Sequence, residues 1–178
     1  MRITGGIHKS RVLYSSQKKD LRATSDKVRE SLFNILKIPC GCIFFDLFAG
    51  SGSVGLEALS RGAHIAVFIE SNTELLKKNI GLFSSPSLKV VRGFLPKILK
   101  RIKGQADYIF LDPPFEHPHL IHKTLEVLKN SPHLYKKDTY FIVQQSQYNE
   151  AKEHMGFQLL MEKIYSTNRL LFYKRNSL

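Results

Sequence analysis

Four consecutive residues in the middle of the chain could hold and activate an amino group. They are Asp112, Pro113, Pro114 and Phe115, and they follow the apolar residues 108–111. Two prolines in a row fix the backbone and remove two N–H donors, so neighbouring carbonyl oxygens can face a cleft. Carboxylate and carbonyl oxygens would accept both hydrogens of an exocyclic amine, while the Phe115 ring stacks on the base that carries it. The same four residues also fit a proline-terminated strand that ends in a surface acid.

A second candidate site is a glycine-rich segment further upstream. Gly50, Gly52 and Gly55 match the pattern G-x-G-x-x-G directly after the apolar residues 42–47, and Glu70 follows Gly50 by 20 residues. The glycines permit a tight turn and close approach of a ligand to the backbone, and the acid can bind ribose hydroxyls. This pattern suits a dinucleotide, S-adenosylmethionine, or a purely structural turn.

Asp46, the last acid before this turn, favours S-adenosylmethionine over a dinucleotide. A carboxylate there would repel a pyrophosphate but suit a cationic amino-acid portion, and the chain has no second nucleotide-binding half. We therefore predict S-adenosylmethionine as the cofactor. The predicted cofactor-binding residues are Asp46, Phe48, Ala49, Gly50, Ser51, Gly52, Gly55, Glu70, Ser71, Gly93 and Phe94.

The elements that must position these residues alternate between strand and helix. Strands are predicted at residues 42–47, 65–69, 88–91, 108–111 and 139–143. Helices are predicted at residues 25–38, 53–61, 72–83, 96–102, 119–128 and, as a short segment, from the fifth strand to about residue 155. Residues 157–164 and 169–173 should close the chain as a hairpin, and residues 1–16 should open it as a small β-hairpin around Gly5 and Gly6.

This order predicts one α/β domain with a mostly parallel seven-stranded sheet, helices on both faces and one antiparallel edge strand. Residues 1–24 would form an amino-terminal extension, and residues 25–178 the body. Ligands of such sheets bind at the carboxyl ends of the strands. Both candidate sites follow strands, so we expect them to lie together.

Charge is concentrated in two segments. The chain has 178 residues and a net charge of +12, and residues 1–37 and 89–105 each carry +6. A local excess of this kind favours nucleic acid as partner, with a solubilising surface or an anionic membrane as alternatives. A hydrophobic fraction of 43% excludes a disordered chain. Without a stretch long enough to cross a bilayer or a signal segment, we predict a cytoplasmic protein with no membrane partner.

Two groups of residues contain side chains that could bind a metal ion but are predicted not to do so. Cys40 and Cys42 have no further cysteines to complete a tetrahedral site. Pro118 interrupts the cluster of Glu116, His117, His119 and His122, so these side chains cannot share one helix face. Because methyl transfer from a sulfonium needs no metal, we predict none.

Together these segments resemble the class I S-adenosylmethionine-dependent methyltransferases, and more closely the RsmD-type family, which methylates guanine N2 in 16S ribosomal RNA. The resemblance extends over nearly the whole chain. It includes MRITGG, residues 22–36, DLFAGSGSVGLEALSRGA, Glu70, DPPF and RLLFYKR. Residues 22–36 are the discriminating part, because many methyltransferases share the glycine turn and DPPF.

The resemblance implies a Rossmann-like class I methyltransferase fold, a monomer, and 16S rRNA or the small ribosomal subunit as partner. It also implies that the amino-terminal hairpin and residues 22–34 border the cleft and help hold RNA. The RNA-binding residues expected on this basis are Arg2, Lys9, Arg11, Arg22, Thr24, Arg29 and Asn34. Relatives often carry an acid after the third strand; here Phe94 could pack on the adenine, or backbone groups could replace the acid. An adenine-N6 methyltransferase, which also uses DPPF, and a non-catalytic RNA-binding assembly factor remain alternatives.

Overall fold

The computed structural model describes residues 1–16, 24–150 and 153–176, and a seven-stranded sheet forms its centre. The strands are β1 (Ile43–Leu47), β2 (Ile65–Glu70), β3 (Leu88–Arg92), β4 (Ala106–Leu111), β5 (Tyr135–Ser146), β6 (Phe157–Tyr165) and β7 (Asn168–Arg175). The helices are α1 (Asp26–Leu36), α2 (Ser53–Ser60), α3 (Glu74–Ile80) and α4 (His119–Lys129), with 3₁₀ turns at Lys97–Arg101 and Pro132–Leu134. In the sheet the strands follow the order β3-β2-β1-β4-β5-β7-β6.

The parallel part of the sheet brings the ends of its central strands together. β1 pairs with β2 on one side and with β4 on the other, so that Leu47 lies level with both Ile69 and Leu111. The chain order reverses between β1 and β4, which is where open α/β sheets form their ligand crevice. The segments that follow β1, β2 and β4 therefore meet at one edge of the sheet.

Alternating side chains of the strands build a core on each face. Phe45 and Leu47 pack with α4, whereas Phe44 on the opposite face packs with α1 and α2. Residues buried on both faces account for the nearly continuous apolar runs that identified these strands. The predicted seven-stranded, mostly parallel sheet with helices on both faces is confirmed.

Helix α1 begins and ends through local hydrogen bonds. Ser25 caps it, because its Oγ accepts the N–H of Val28 at 3.3 Å. Lys37 ends it in a left-handed conformation (φ 44°) and donates its N–H to the carbonyl of Phe33 at 3.1 Å. The helix therefore ends at Leu36, two residues before the predicted bound at residue 38.

The amino-terminal residues form a small loop fixed to the body. The expected hairpin is reduced to a single bridge between Arg2 and Val12. Ile3 and Leu13 are buried against α2 and β2, and the N–H of Ile7 donates to the carbonyl of Ser60 at 2.8 Å. These residues are part of the core rather than a detached arm.

Three local predictions were wrong. Residues 97–101 form a 3₁₀ turn instead of an α-helix, and the described residues between β5 and β6 contain no helix. The N–H of Gln147 instead donates to the carbonyl of Thr167 at 3.0 Å, so the chain continues beside the β6–β7 turn. The antiparallel strand β7 is not at the edge: it pairs with β5 and leaves β6 outermost. Among the described residues, no helix has the length and apolar character needed to cross a membrane.

Candidate active site

The turn between β1 and α2 is held open by unusual backbone conformations. Phe48, Gly50 and Gly52 all have positive φ, at 64°, 53° and 78°. A Cβ on Gly50 would meet no atom closer than 4.0 Å, so the space beside this residue is not filled by protein. A Cβ on Gly55 would lie 2.4 Å from the Phe68 ring, which shows that the third glycine serves close packing of α2 on β2.

Glu70 connects this turn to the end of β2. Its Oε2 accepts the N–H of Gly50 at 2.8 Å, and its Oε1 accepts the backbone N–H groups of Ser71 and Asn72 and the Ser71 hydroxyl at 2.7 to 3.0 Å. A carboxylate oxygen has about two lone-pair positions, so Oε2 keeps one acceptor position for a ligand hydroxyl. The carboxylate is therefore fixed in place and still able to bind ribose.

Asp46 lies buried beneath the same turn. Its Oδ2 accepts the N–H of Gly55 at 2.9 Å. Burial, together with the nearby acids Asp112 and Glu70, raises the pKa of Asp46 well above its usual value, although the Gly55 hydrogen bond opposes this shift. A cation in the turn would favour the ionised form of Asp46, and binding of a cationic amino-acid portion there stays a prediction.

The other predicted cofactor residues surround this turn. Ala49 donates its N–H to the carbonyl of Ile69 at 3.1 Å, and Ser51 is buried beneath the turn. After β3, Gly93 donates its N–H to the carbonyl of Glu70 at 3.0 Å. Phe94 follows with 76% of its side chain exposed, which leaves a bare aromatic ring beside the end of β2. Contact of Phe94 with the adenine stays a prediction.

Asp112 stands at the end of β4, next to the end of β1. Its Oδ2 accepts hydrogen bonds from the Thr24 hydroxyl and from Nε2 of Gln144, both at 3.1 Å. Burial raises the pKa of Asp112 to about 7, and the bond from Thr24 opposes the shift. This carboxyl can exchange a proton near neutral pH, as a proton acceptor in a reaction must.

The two prolines orient the backbone beside Asp112. Pro114 accepts the N–H of His117 at 2.9 Å, whereas the carbonyl of Pro113 receives no hydrogen bond from any residue the structure describes. Phe115 follows with 39% of its side chain exposed. Pro113, Pro114 and Phe115 border one small cleft together with Gln144, and Asp112 directly precedes them in the chain. That these residues bind an amine stays a prediction.

Two of the residues predicted to bind RNA are buried, and for them that prediction was wrong. Arg29 is completely buried: its guanidinium donates to the carbonyls of Thr24 and Arg2 and to the carboxylate of Asp26, and Nε lies 3.8 Å from Glu57. Thr24 is 5% exposed and donates to Asp112. Arg29 fixes the amino-terminal loop through the carbonyl of Arg2, and Thr24 holds the carboxyl of Asp112.

The remaining candidates for RNA contact are at the surface. Arg2, Lys9, Arg11 and Asn34 are exposed, and the Arg11 guanidinium lies 4.9 Å above the Phe83 ring. Asn34 lies about 12 Å along α1 from its first residue, given a rise of about 1.5 Å per residue. Arg22 lies outside the described residues. RNA contact by these side chains stays a prediction.

Sequence reasoning missed two buried amides. Gln144 follows β5 residue Val143, which is level with Leu111, and so its side chain reaches Asp112. Asn79 on α3 donates to the carbonyls of Ser51 and Tyr14 at 2.8 and 3.0 Å, joining the cofactor turn to the amino-terminal loop. A polar residue inside an otherwise apolar strand was the available signal for Gln144.

A separate hollow of the surface lies elsewhere. It measures about 470 Å³ and lies at the amino ends of β4 and β5. Ion pairs line it, with Lys136 at 2.6 Å from Asp107 and Lys174 at 3.4 Å from Asp138. None of the predicted site residues borders it. Within the described ranges, no group of three or more His, Cys, Asp or Glu side chains could hold a metal ion.

Comparison with known proteins places this arrangement in a family. The family described as Conserved hypothetical protein 95 matches residues 1–174. Ribosomal RNA small subunit methyltransferase D of Escherichia coli (strain K12) is 30% identical, over 99% of this chain and 91% of the relative. Putative rRNA methyltransferase YlbH of Bacillus subtilis (strain 168) is 31% identical, over 98% and 99% of the two chains.

Solved structures agree with these matches. The putative methyltransferase yhhF from Escherichia coli has a TM-score of 0.86 and 30% identity, and the match covers 100% of this chain and 99% of that one. The precorrin-6y C5,15-methyltransferase of Geobacter metallireducens, at 16% identity and a TM-score of 0.68, shares the fold alone, over 92% and 94% of the two chains. With its Rossmann-like class I methyltransferase fold and near full-length relatives, the chain belongs to the RsmD family.

Proposed function

We propose that this protein transfers the methyl group of S-adenosylmethionine to the exocyclic N2 of a guanine in 16S rRNA of the small ribosomal subunit, in the cytoplasm. The observation that carries the proposal is the environment of the Asp112 carboxyl. Its carboxyl is held by Thr24 and Gln144 beside an exposed Phe115 ring and a Pro113 carbonyl that accepts no hydrogen bond from the described residues. The names of the relatives from Escherichia coli and Bacillus subtilis support rRNA as the substrate class.

The residues after β1, β2 and β3 fit the cofactor. The open space beside Gly50 admits a ligand to the backbone, and Glu70 offers an acceptor to ribose hydroxyls. Asp46 would hold the positively charged methionine end, and Phe94 would lie against the adenine. S-adenosylmethionine, when bound, supplies a methyl group on a sulfonium, which needs neither metal nor a covalent enzyme intermediate.

The residues after β4 would prepare the amine. Phe115 stacks on the guanine ring and sets its plane. Asp112 and the Pro113 carbonyl each accept one hydrogen of the N2 amine, which makes the nitrogen more pyramidal and directs its lone pair toward the methyl carbon. Pro114 fixes the turn that aims these groups. Transfer would form the bond from N2 to the methyl carbon as the bond from methyl to sulfur breaks and S-adenosylhomocysteine leaves, and Asp112 would accept the proton that N2 releases. Positioning and electrostatic preorganisation supply most of the acceleration.

Product analysis tests the proposal. Small subunits and naked 16S rRNA from cells that lack this activity are incubated with the protein and methyl-labelled cofactor, and the nucleosides are then separated. We expect label in N2-methylguanosine. Label in N6-methyladenosine would show the adenine enzyme instead. Cofactor binding without label in any nucleoside would identify a non-catalytic assembly factor.

A further inference from the structure

Within the part of the chain that the structure describes, the amide nitrogen of Gln144 is hydrogen-bonded and its amide oxygen is not. Its Nε2 donates to Asp112 Oδ2 at 3.1 Å, and the side chain is 2% exposed. Its Oε1 is buried and has no hydrogen-bond partner among residues 1–16, 24–150 and 153–176. A buried carbonyl oxygen without a donor costs free energy, so such an atom calls for a ligand that supplies one.

The position of this oxygen fits a base in the cleft. Gln144 lines the same small cleft as Pro113 and Phe115, and it follows Val143, which is level with Leu111 in the parallel register of β4 and β5. Asp112 and Gln144 therefore stand side by side. Two adjacent acceptors, the Asp112 carboxylate and Gln144 Oε1, therefore lie next to the cleft that Pro113 and Phe115 border.

Guanine and adenine differ at the edge that would face these acceptors. Guanine has two neighbouring donors, the N2 amine and the N1–H. Adenine has an amine at C6 but a lone pair at N1, which would face a second lone pair on Oε1. Loss of a donor opposite a buried acceptor discriminates strongly between bases, because the acceptor is left unpaired.

We propose that Gln144 selects guanine, with its Oε1 accepting the N1–H while Asp112 and the Pro113 carbonyl accept the N2 amine. This inference rests on the proposed function, since it assumes that the N2 amine is the group methylated. Gln144 would determine which base is accepted, whereas Asp112 and Pro113 position the reacting nitrogen. Nε2, by donating to Asp112, keeps the two acceptors in register.

2-Aminopurine separates base selection from a structural role of Gln144. It keeps the 2-amino group but has a lone pair in place of the N1–H. The guanosine that the wild-type protein methylates is mapped first. Two 16S rRNAs are then made by ligation, one with guanosine and one with 2-aminopurine at that position, and each is reconstituted into small subunits. The value of kcat/KM is measured for both. We expect the wild type to prefer guanosine by at least about tenfold.

Two variants of Gln144 decide which half of the amide acts. Gln144→Met removes Oε1, and we expect the preference to fall to about one, measured by competition binding where turnover is slow. Gln144→Glu keeps an acceptor at that position and, when its carboxyl is protonated, a donor to Asp112 in place of Nε2, so it should keep the preference. If Gln144→Met keeps the wild-type ratio, or Gln144→Glu loses it, Oε1 does not read N1–H and the proposal is wrong.

A neighbouring amide provides the matched control. Gln145 is also buried, but its Nε2 donates to the carbonyls of Asn149 and Glu150 at 3.3 and 3.0 Å. Gln145→Met should leave the ratio of guanosine to 2-aminopurine unchanged. A wild-type protein that forms no N2-methylguanosine would refute the proposed function itself. One that forms it but treats both bases equally would refute only the role of Gln144.

Discussion

Replacing Thr24 by valine should shift the pH dependence of methyl transfer to higher pH. The Thr24 hydroxyl donates to Asp112 at 3.1 Å and stabilises the ionised carboxylate, so it keeps the pKa of Asp112 from rising beyond about 7. Valine has the same shape but cannot donate a hydrogen bond. The carbonyl of Thr24, which accepts from Arg29, is left intact.

The size of the shift follows from the energy of one hydrogen bond to a charged group. Such a bond contributes about 1.5 to 3 kcal/mol, and one pKa unit corresponds to about 1.4 kcal/mol. The pKa of Asp112 should therefore rise by about one to two units. At pH 7 the ionised fraction would fall from about one half to between about one tenth and one hundredth, and the rate would fall about five- to fiftyfold.

The assay is kcat/KM for methyl transfer between pH 6 and 9.5. The wild-type rate should rise with pH through a midpoint near 7, and the rate of Thr24→Val should approach the wild-type rate at high pH. Thr124→Val is the matched control: Thr124 is also buried, and its hydroxyl has no hydrogen-bond partner in the described part of the chain. A flat wild-type profile, or equal midpoints for wild type and Thr24→Val, would show that Thr24 does not control the carboxylate.

Four further predictions concern stability and binding. Asp112 binds its proton more tightly in the folded than in the unfolded protein, so the free energy of unfolding falls as pH rises from about 4 to about 7. Asp112→Asn should therefore stabilise the protein by up to about 4 kcal/mol at pH 8 and hardly at pH 4. Equal effects in urea unfolding at both pH values would contradict this. Arg29→Met should lower the free energy of unfolding by about 3 kcal/mol or more in the same assay, and a loss below about 1 kcal/mol would show that the buried guanidinium contributes little. Gly50→Ala should weaken S-adenosylmethionine binding by calorimetry while lowering the melting temperature less than Gly55→Ala does, and the reverse order would place the cofactor elsewhere. Lys9→Gln should reduce the salt slope of RNA binding by about one, and an unchanged slope would remove Lys9 from the RNA contact.

The order of strands and helices could be read from the sequence because each parallel strand is an apolar run between polar turns. Residues 42–47 and 108–111 carry apolar side chains for both faces, and the motif residues follow them directly. The juxtaposition of Gly50, Glu70 and Asp112 then follows from the rule that parallel strands end at one edge. These features could be predicted from local sequence patterns, without information on contacts between distant segments.

What could not be predicted depends on contacts between distant segments. Arg29 lies in a basic stretch and would ordinarily face solvent, but Thr4, Arg61 and Arg29 all converge on the buried Glu57 of α2. Gln144 gains its partner only through the register of β5 on β4. The position of β7 beside β5 could not be predicted from the sequence either, because a hairpin can place either of its strands next to the sheet.

The role of Asp112 is tested most directly by separating cofactor binding from turnover in Asp112→Ala. The dissociation constant for S-adenosylmethionine is measured by calorimetry, and methyl transfer to under-methylated small subunits is measured in single turnover. On the proposed assignment Asp112 accepts the amine while Gly50 and Glu70 hold the cofactor, so binding should largely survive and transfer should collapse. A variant that still methylates N2 of guanine at the wild-type rate would contradict the assignment of Asp112 as the amine acceptor.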